Sequence, residues 1–322
     1  MTEFYPSDFK SIGELSFCGI SSAVVAIGVF DGVHRGHQRL LTELLTMAGT
    51  LSADPVVMTF FPHPRQLLTH NPPPLLLPPS EKIRLLYRFG AKAVVTVDFT
   101  REFAGLSPTE FLRRCLFSGP VAVRGICVGR KWRFGAHAGG DARFLERKAA
   151  ESGFHFSAVD ELCTERGTVI SSTAIRTAIS KGNLREAEEM LGRRYSLFGT
   201  VEKGYRVASD RLGAPTANLK VKDGVLPLFG VYAAFAHWNG MRFPAAVNIG
   251  TAPTFRKQYG NIVPRIEIHI LEGFGADLYG DSLELELVDF IRPERVFPGP
   301  EELKKQISRD VAKISAILRE GS

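Results

Sequence analysis

The pattern of apolar and polar positions changes once along the chain, near residue 190. Before that point, short apolar runs alternate with helical stretches. Ser22 to Phe30, Pro55 to Phe60, Ala93 to Asp98 and Val121 to Gly129 are compact and rich in Val, Ile and Phe, and they predict four buried strands. His37 to Met47 carries leucines at helical spacing, and helices are predicted there, over Ser80 to Phe89 and over Thr173 to Leu191. Ser107-Pro108-Thr109-Glu110 predicts a helix start, with Ser107 as cap, Pro108 in the first turn and Glu110 closing a capping box. The proline-rich stretch Asn71 to Pro79 predicts a loop. Alternating strands and helices predict an α/β fold, a parallel sheet with both faces covered. Ligands of such sheets bind beyond the carboxyl ends of the strands.

From Ser196 onward the segments are short and alternate apolar with polar. Ser196 to Val201, Val231 to His237, Pro244 to Ile249, Arg265 to Leu271 and Ser282 to Phe290 are separated by Gly, Pro and Asn clusters. That pattern predicts a small antiparallel barrel. Pro300 to Leu318 has Leu303, Ile307, Val311, Ile314 and Leu318 at helical spacing, which predicts a terminal helix packed on the barrel. The change of pattern places a domain boundary between residues 183 and 195, giving domains 1–185 and 186–322.

Composition narrows the class. The 322 residues are 44% hydrophobic and 23% charged, as in soluble globular proteins, and two domains suit the length. No apolar run reaches the roughly 18 residues that span a bilayer. Met1 to Lys10 has no basic flank leading into an apolar stretch, so a cytosolic protein without a signal peptide is expected. The net charge is +6, yet no lysine or arginine block is long enough for a nucleic-acid tail. A basic balance can mean nucleic acid, a membrane surface or a small anionic substrate, and its plainest reading is a mildly basic soluble protein with small-molecule substrates and neither nucleic acid nor membrane as a partner. The four cysteines form no C-x-x-C pair, so reduced thiols and no zinc site are expected.

The densest chemistry is Gly28-Val29-Phe30-Asp31-Gly32-Val33-His34-Arg35-Gly36-His37, where the first strand gives way to the first helix. Glycines allow close approach of backbone to phosphate, and a helix start offers free N–H groups and the positive end of its dipole. His34 and His37 are three residues apart, so both can face one ligand and donate to phosphate oxygens. In Ile170-Ser171-Ser172-Thr173-Ala174-Ile175-Arg176, hydroxyls cap a helix and Arg176, one turn in, can reach back to a triphosphate.

The first segment resembles the G-x-F-D-G-x-H-x-G-H signature of the nucleotidyltransferase superfamily. Thr59-Phe60-Phe61-Pro62-His63-Pro64-Arg65 is similar to the T-F-x-P-H-P of the bacterial bifunctional riboflavin kinase/FMN adenylyltransferase (FAD synthetase) family. Val128 to Gly135 with Gly140-Asp141 resembles its V-G-x-D-F-x-F-G…G-D, and Ile170 to Arg176 its I-S-S-T-x-I-R. The resemblance runs nearly the whole chain. It implies a Rossmann-like α/β nucleotidyltransferase domain followed by a riboflavin-kinase-like β-barrel with a C-terminal helix. It also implies two reactions: riboflavin and ATP give FMN, then FMN and ATP give FAD.

On that resemblance, His34 and His37 hold the reacting phosphate, and Arg176 with Ser171 and Ser172 holds the leaving pyrophosphate. Asp31 organises the loop or approaches the metal. Gly28, Phe30, Gly32, Gly36, Gly129, Phe134 and Thr173 complete the nucleotide and flavin site. In the second half, Gly213-Ala214-Pro215-Thr216-Ala217-Asn218 resembles the P-T-A-N motif of riboflavin kinases. Thr216 and Asn218, on one face of an extended segment, would hold Mg2+ with the ATP phosphates, beside Gly204, Gly213 and Pro215. Glu267 resembles the general base on the riboflavin 5′-hydroxyl. Asn248 to Thr254, Asp277 to Gly280, Arg292-Pro293-Glu294 and the terminal E-E-L-K-x-Q-I…D also match.

Two departures stand out. Lys131-Trp132 replaces an acidic or amide residue followed by Phe, and Ala208-Ser209-Asp210 replaces an R-G-R-like segment before the P-T-A-N motif. Aspartate beside a triphosphate repels it. Two other readings therefore stand beside the bifunctional enzyme: a monofunctional FMN adenylyltransferase with a silent barrel, and a non-catalytic flavin- or nucleotide-binding protein. The residues leave the oligomeric state open.

Overall fold

In a computed structural model the chain forms two compact units, Met1–Ser172 and Thr173–Ser322. The structure describes residues 9–202, 216–251, 264–272 and 278–320.

The first unit is built on a five-stranded parallel sheet. Its strands are β1 (Ser22–Ile27), β2 (Asp54–Phe61), β3 (Ala93–Asp98), β4 (Ala122–Gly129) and β5 (His155–Val159), in the order β3-β2-β1-β4-β5. The four predicted strands are all present. β5 is an addition: it lies at the edge, and its residues are exposed or half-buried, so it lacks the apolar signature of the central strands. Residues Ala23 to Ile27 of β1 are buried, because the central strand is covered on both faces.

Helix α1 (Arg35–Thr50) buries Leu40, Leu41, Leu44 and Ala48, the leucine stripe of the sequence. Helix α2 (Pro64–Leu68) follows β2, and α3 (Pro79–Arg88) precedes β3. After α4 (Arg101–Ala104), α5 (Pro108–Phe111) starts with the predicted capping box. The Ser107 side chain accepts from Glu110 N at 3.3 Å, and Glu110 accepts from Ser107 N at 3.0 Å. The helix winds on into a π turn over Leu112–Leu116. Helix α6 (Ala142–Ser152) is capped by Asp141, whose side chain accepts from Phe144 N at 2.9 Å.

The predicted helix over 173–191 is two helices, α7 (Ser172–Ser180) and α8 (Leu184–Leu191). Gly182 between them has φ +77°, a left-handed conformation that ends the first helix. The second unit holds a closed barrel of six strands ordered β10-β7-β6-β11-β8-β9. These are β6 (Ser196–Glu202), β7 (Thr216–Val221), β8 (Gly230–Trp238), β9 (Met241–Thr251), β10 (Pro264–Ile270) and β11 (Ser282–Pro293). Helix Pro300–Glu320 packs Ile314 and Leu318 against Val231, Ala233 and Phe235 of β8. It is also tied to β11 by a buried ion pair: Arg292 Nε donates to Asp310 Oδ2 at 2.8 Å, and Gln306 Nε2 donates to the other oxygen at 2.8 Å. That contact explains Arg292 and the Q…D of the terminal helix as structural residues.

Candidate active sites

In the sheet of the first unit the order reverses between β1 and β4: β2 and β3 lie to one side, β5 to the other. Loops leaving β1 and β4 diverge there and open a crevice at their carboxyl ends. The segment 28–37 lies in this place.

Its local conformation follows from its sequence. Phe30 at φ 55°, Gly32 at φ 85° and Val33 at φ 40° are left-handed, so the chain turns sharply before α1. A side chain on Gly28 would put its Cβ 3.0 Å from the Phe30 ring, and one on Gly36 would put it 3.2 Å from the His34 ring. The outer glycines therefore make room for the two rings between them. Phe30 is fully buried, and its ring lies 5.1 Å from that of His37.

His34 is the N-cap of α1: its Nδ1 accepts from His37 N at 3.3 Å. In the neutral ring that puts the proton on Nε2. The His34 and His37 rings stack with centroids 3.7 Å apart and planes 16° apart. His37 Nδ1 is buried with no hydrogen-bond partner among the described residues. Burial above all, with the neighbouring His34 ring and the Lys82 ammonium adding to it, holds the His37 imidazole well below its ordinary range, so the ring is neutral.

Asp31 is buried. Its Oδ1 accepts from Leu76 N at 3.0 Å, so the proline-rich loop 71–79 is fastened to the turn. Its backbone carbonyl accepts from Ser172 Oγ at 2.9 Å. Ser172 is thereby joined to the phosphate-type loop, across 141 residues of sequence. Thr173 and Arg176 follow in the first two turns of that helix, Thr173 exposed and Arg176 half-buried.

A pocket beside Asp31 is lined by Val29, Phe60, Phe61, His63 and Lys82 among others. His63 caps α2 by accepting from Arg65 N at 3.1 Å, and the Phe61–Pro62 bond is cis. Lys82 had no place in the sequence reading. Its ammonium is buried, and desolvation lowers its pKa to about 8 despite the nearby Asp31 carboxylate. A lysine on a helix reads as a surface residue; only its place on the apolar face of α3, with Leu85 and Leu86, signalled otherwise.

On the barrel, β10 lies between β7 and β9. Glu267 pairs with Asn218 on one side and with Asn248 on the other. Residues opposed in register share a face, so the three side chains form a row. Thr216 opens β7, two residues before Asn218. Asn218 Oδ1 is buried with no hydrogen-bond partner among the described residues. An unpartnered amide oxygen fits a hard cation such as magnesium. Among the described residues, no group of three or more His, Cys, Asp or Glu could hold a metal ion. On β9, a Cβ at Gly250 would fall 1.7 Å from Glu294 Oε1. The glycine of N-I-G and the glutamate of R-P-E therefore meet in the fold.

Two family models match. Residues 20–174 match FAD synthetase, and residues 191–318 match riboflavin kinase. The chain belongs to the bifunctional riboflavin kinase/FMN adenylyltransferase family. It is 37% identical over 303 residues to the member from Escherichia coli K12, covering 94% of each chain. It is 32% identical over 297 residues to that of Bacillus subtilis, covering 90% of each. A solved structure described as a macrolide-efflux protein from Streptococcus pneumoniae is 30% identical, with a TM-score of 0.80 over 90% of this chain and 92% of that one. No described helix of the present family member is long and apolar enough to cross a membrane.

The remaining expected residues are placed as follows. Phe134 belongs to the core: it stacks on Trp132 with centroids 4.7 Å apart, and Phe111 and Phe144 surround it. Gly140 admits that ring, since a Cβ there would lie 2.6 Å from it. Gly129 ends β4 with open space where a Cβ would stand. Lys131 is exposed and paired with Glu161, next to an Arg130–Asp160 pair. Ser171 is half-buried, one residue before α7. Gly204, Ala208 to Asp210, Gly213 and Pro215 lie outside the described residues.

Proposed function

We propose that this chain makes FAD in two ATP-dependent steps: phosphorylation of riboflavin in the barrel module, 186–322, and adenylylation of FMN in the α/β module, 1–185. The observation that carries the second step is the stacked His34–His37 pair at the start of α1, with the buried His37 imidazole held neutral. The two family matches, 20–174 and 191–318, support the division of labour.

In the adenylyl transfer, an FMN phosphate oxygen attacks the α-phosphorus of ATP and pyrophosphate leaves. Little covalent work falls to the protein, so positioning and charge stabilisation carry the catalysis. Neutral His37 can donate one N–H to a non-bridging oxygen, and it can take up a proton as negative charge gathers beside it. His34 donates through Nε2, with the α1 dipole behind it. Ser171, Ser172, Thr173 and Arg176 hold the pyrophosphate. In the barrel, Glu267 removes the proton of the riboflavin 5′-hydroxyl as that oxygen attacks the γ-phosphorus of ATP, the bond to the β–γ bridging oxygen breaks and ADP leaves. Thr216 and Asn218 would hold Mg2+, which would supply charge neutralisation to the triphosphate. ATP, Mg2+ and the three flavins are the ligands this chemistry requires, with neither nucleic acid nor membrane involved, in the cytosol.

The test is to incubate the protein with ATP, magnesium and either riboflavin or FMN, and to separate the flavins by chromatography. FAD from both, with FMN as an intermediate, is the expected result. FAD from FMN alone would leave a transferase with a silent barrel and point to Ala208-Ser209-Asp210. No product from either would favour a flavin-binding protein instead.

A further inference from the structure

Lys82 Nζ donates to Thr59 Oγ1 at 3.0 Å, to the Val29 carbonyl at 3.3 Å and to the Phe60 carbonyl at 3.5 Å. An ammonium has three hydrogens and accepts nothing, so these three acceptors use its whole capacity. Thr59 Oγ1 in turn donates to the Val29 carbonyl at 3.1 Å. Val29 immediately precedes left-handed Phe30, while Thr59 and Phe60 belong to β2. One buried cation thus ties the loop that carries Asp31, His34 and His37 to the end of a neighbouring strand.

We infer that Lys82 is a positioning residue for adenylyl transfer, clamping the histidine loop to β2 and leaving contact with the ligand to other groups. A hydrophobic residue would pack that face of α3 without the desolvation a buried ammonium suffers. The three bonds to Val29, Thr59 and Phe60 account for a lysine there. The charged and titratable groups facing it are Asp31 on the same loop, His37 on α1 and His63 at the start of α2. Asp31 favours the cation; His37 is repelled by it when protonated.

The inference rests on the reading of the His34–His37 loop as the transferase site. The test uses the full chain with Lys82→Met and, separately, Thr59→Val, and follows FMN to FAD and riboflavin to FMN. The expected result is a fall in kcat for FAD of about 10- to 100-fold, the scale of a 1 Å misplacement of reacting groups. The KM values for ATP and FMN should stay within about threefold, because no ligand contact is lost. Riboflavin phosphorylation should match the wild type. In Lys82→Met alone, the acid limb of kcat should move to higher pH, since His37 loses a positive neighbour; Thr59→Val keeps that charge. If Lys82→Met fails to fold and riboflavin phosphorylation disappears too, Thr59→Val decides on its own kcat. Unchanged FAD turnover in Thr59→Val, or a raised KM with unchanged kcat in Lys82→Met, overturns the clamp. A wild type that makes no FAD overturns the transferase reading and the clamp's role together; an active wild type with unaffected variants overturns the clamp alone.

Discussion

Gly36 and His34 are fitted to one another: a Cβ on Gly36 would stand 3.2 Å from both Cε1 and Nδ1 of the His34 ring. That ring is also the cap of α1 and the stacking partner of His37. The glycine of H-x-G-H is therefore fixed by the histidine two residues before it. Gly36→Ala is expected to push the ring off its cap and its stack. A lost cap costs about 1 kcal/mol, so thermal unfolding should shift modestly, while FAD formation falls about 10-fold or more through misplacement. Unfolding scans and flavin chromatography on one preparation separate the two effects.

His37→Ala removes a donor aimed at developing charge, and such losses are about 100- to 1,000-fold in kcat. FAD formation from FMN should fall by that factor, while riboflavin phosphorylation by the same sample continues. A variant with near-normal FAD formation would show that the stacked pair is only a helix cap.

The His37 imidazole titrates near 6.5 in the unfolded chain and well below that in the fold. Between those values the unfolded chain binds the extra proton, so folding stability rises with pH across that window. The contribution is complete above about pH 6.5 and is lost as the solution is made more acidic. Thermal unfolding from pH 7.5 to 5 should therefore fall more steeply for wild type than for His37→Gln. Equal slopes would assign the acid sensitivity to other groups.

In the barrel, Glu267→Gln keeps the shape of the side chain and removes its basicity. Riboflavin phosphorylation is expected to drop by about 100- to 10,000-fold, the usual range for general acid–base catalysis. FAD formation from FMN should be unaltered. Asn218→Ala should instead raise the magnesium concentration needed for half-maximal phosphorylation, which a metal titration reads directly.

Asp310→Ala leaves the Arg292 guanidinium, whose side chain is 12% exposed, without its partner. Stranding a buried charge typically costs about 3–5 kcal/mol. The barrel transition in thermal unfolding should fall clearly, and it should recover partly in the double variant Arg292→Met/Asp310→Leu, which removes both charges.

Much of this fold was legible in the chain. The four predicted strands of the sheet show as compact apolar runs because both faces of the sheet are covered, and the barrel shows as alternation because one face of each strand meets solvent. The capping box at Ser107 was local chemistry and was found where four residues predicted it. β5 escaped because an edge strand with half-buried residues carries neither signature. The single helix expected over 173–191 failed at Gly182, since leucine spacing continues across a turn that only a backbone angle reveals.

The sites divide in the same way. The sequence by itself placed the histidine pair at a helix start with glycines around it, because short-range spacing constrains those neighbours; the glutamate and asparagine of the barrel were singled out by the family resemblance and not by their spacing. Only the tertiary structure decided that Ser172 meets Asp31, that Glu267 lies between Asn218 and Asn248, and that Lys82 is buried under the histidine loop. It also decided that Phe134 is a core residue and that Lys131 is occupied by Glu161. Each of those relationships joins residues distant in the chain or depends on which way a side chain turns. Apolar periodicity along a sequence records burial on a face; it does not record which distant group waits there, and polar contacts made across a fold leave no period to read.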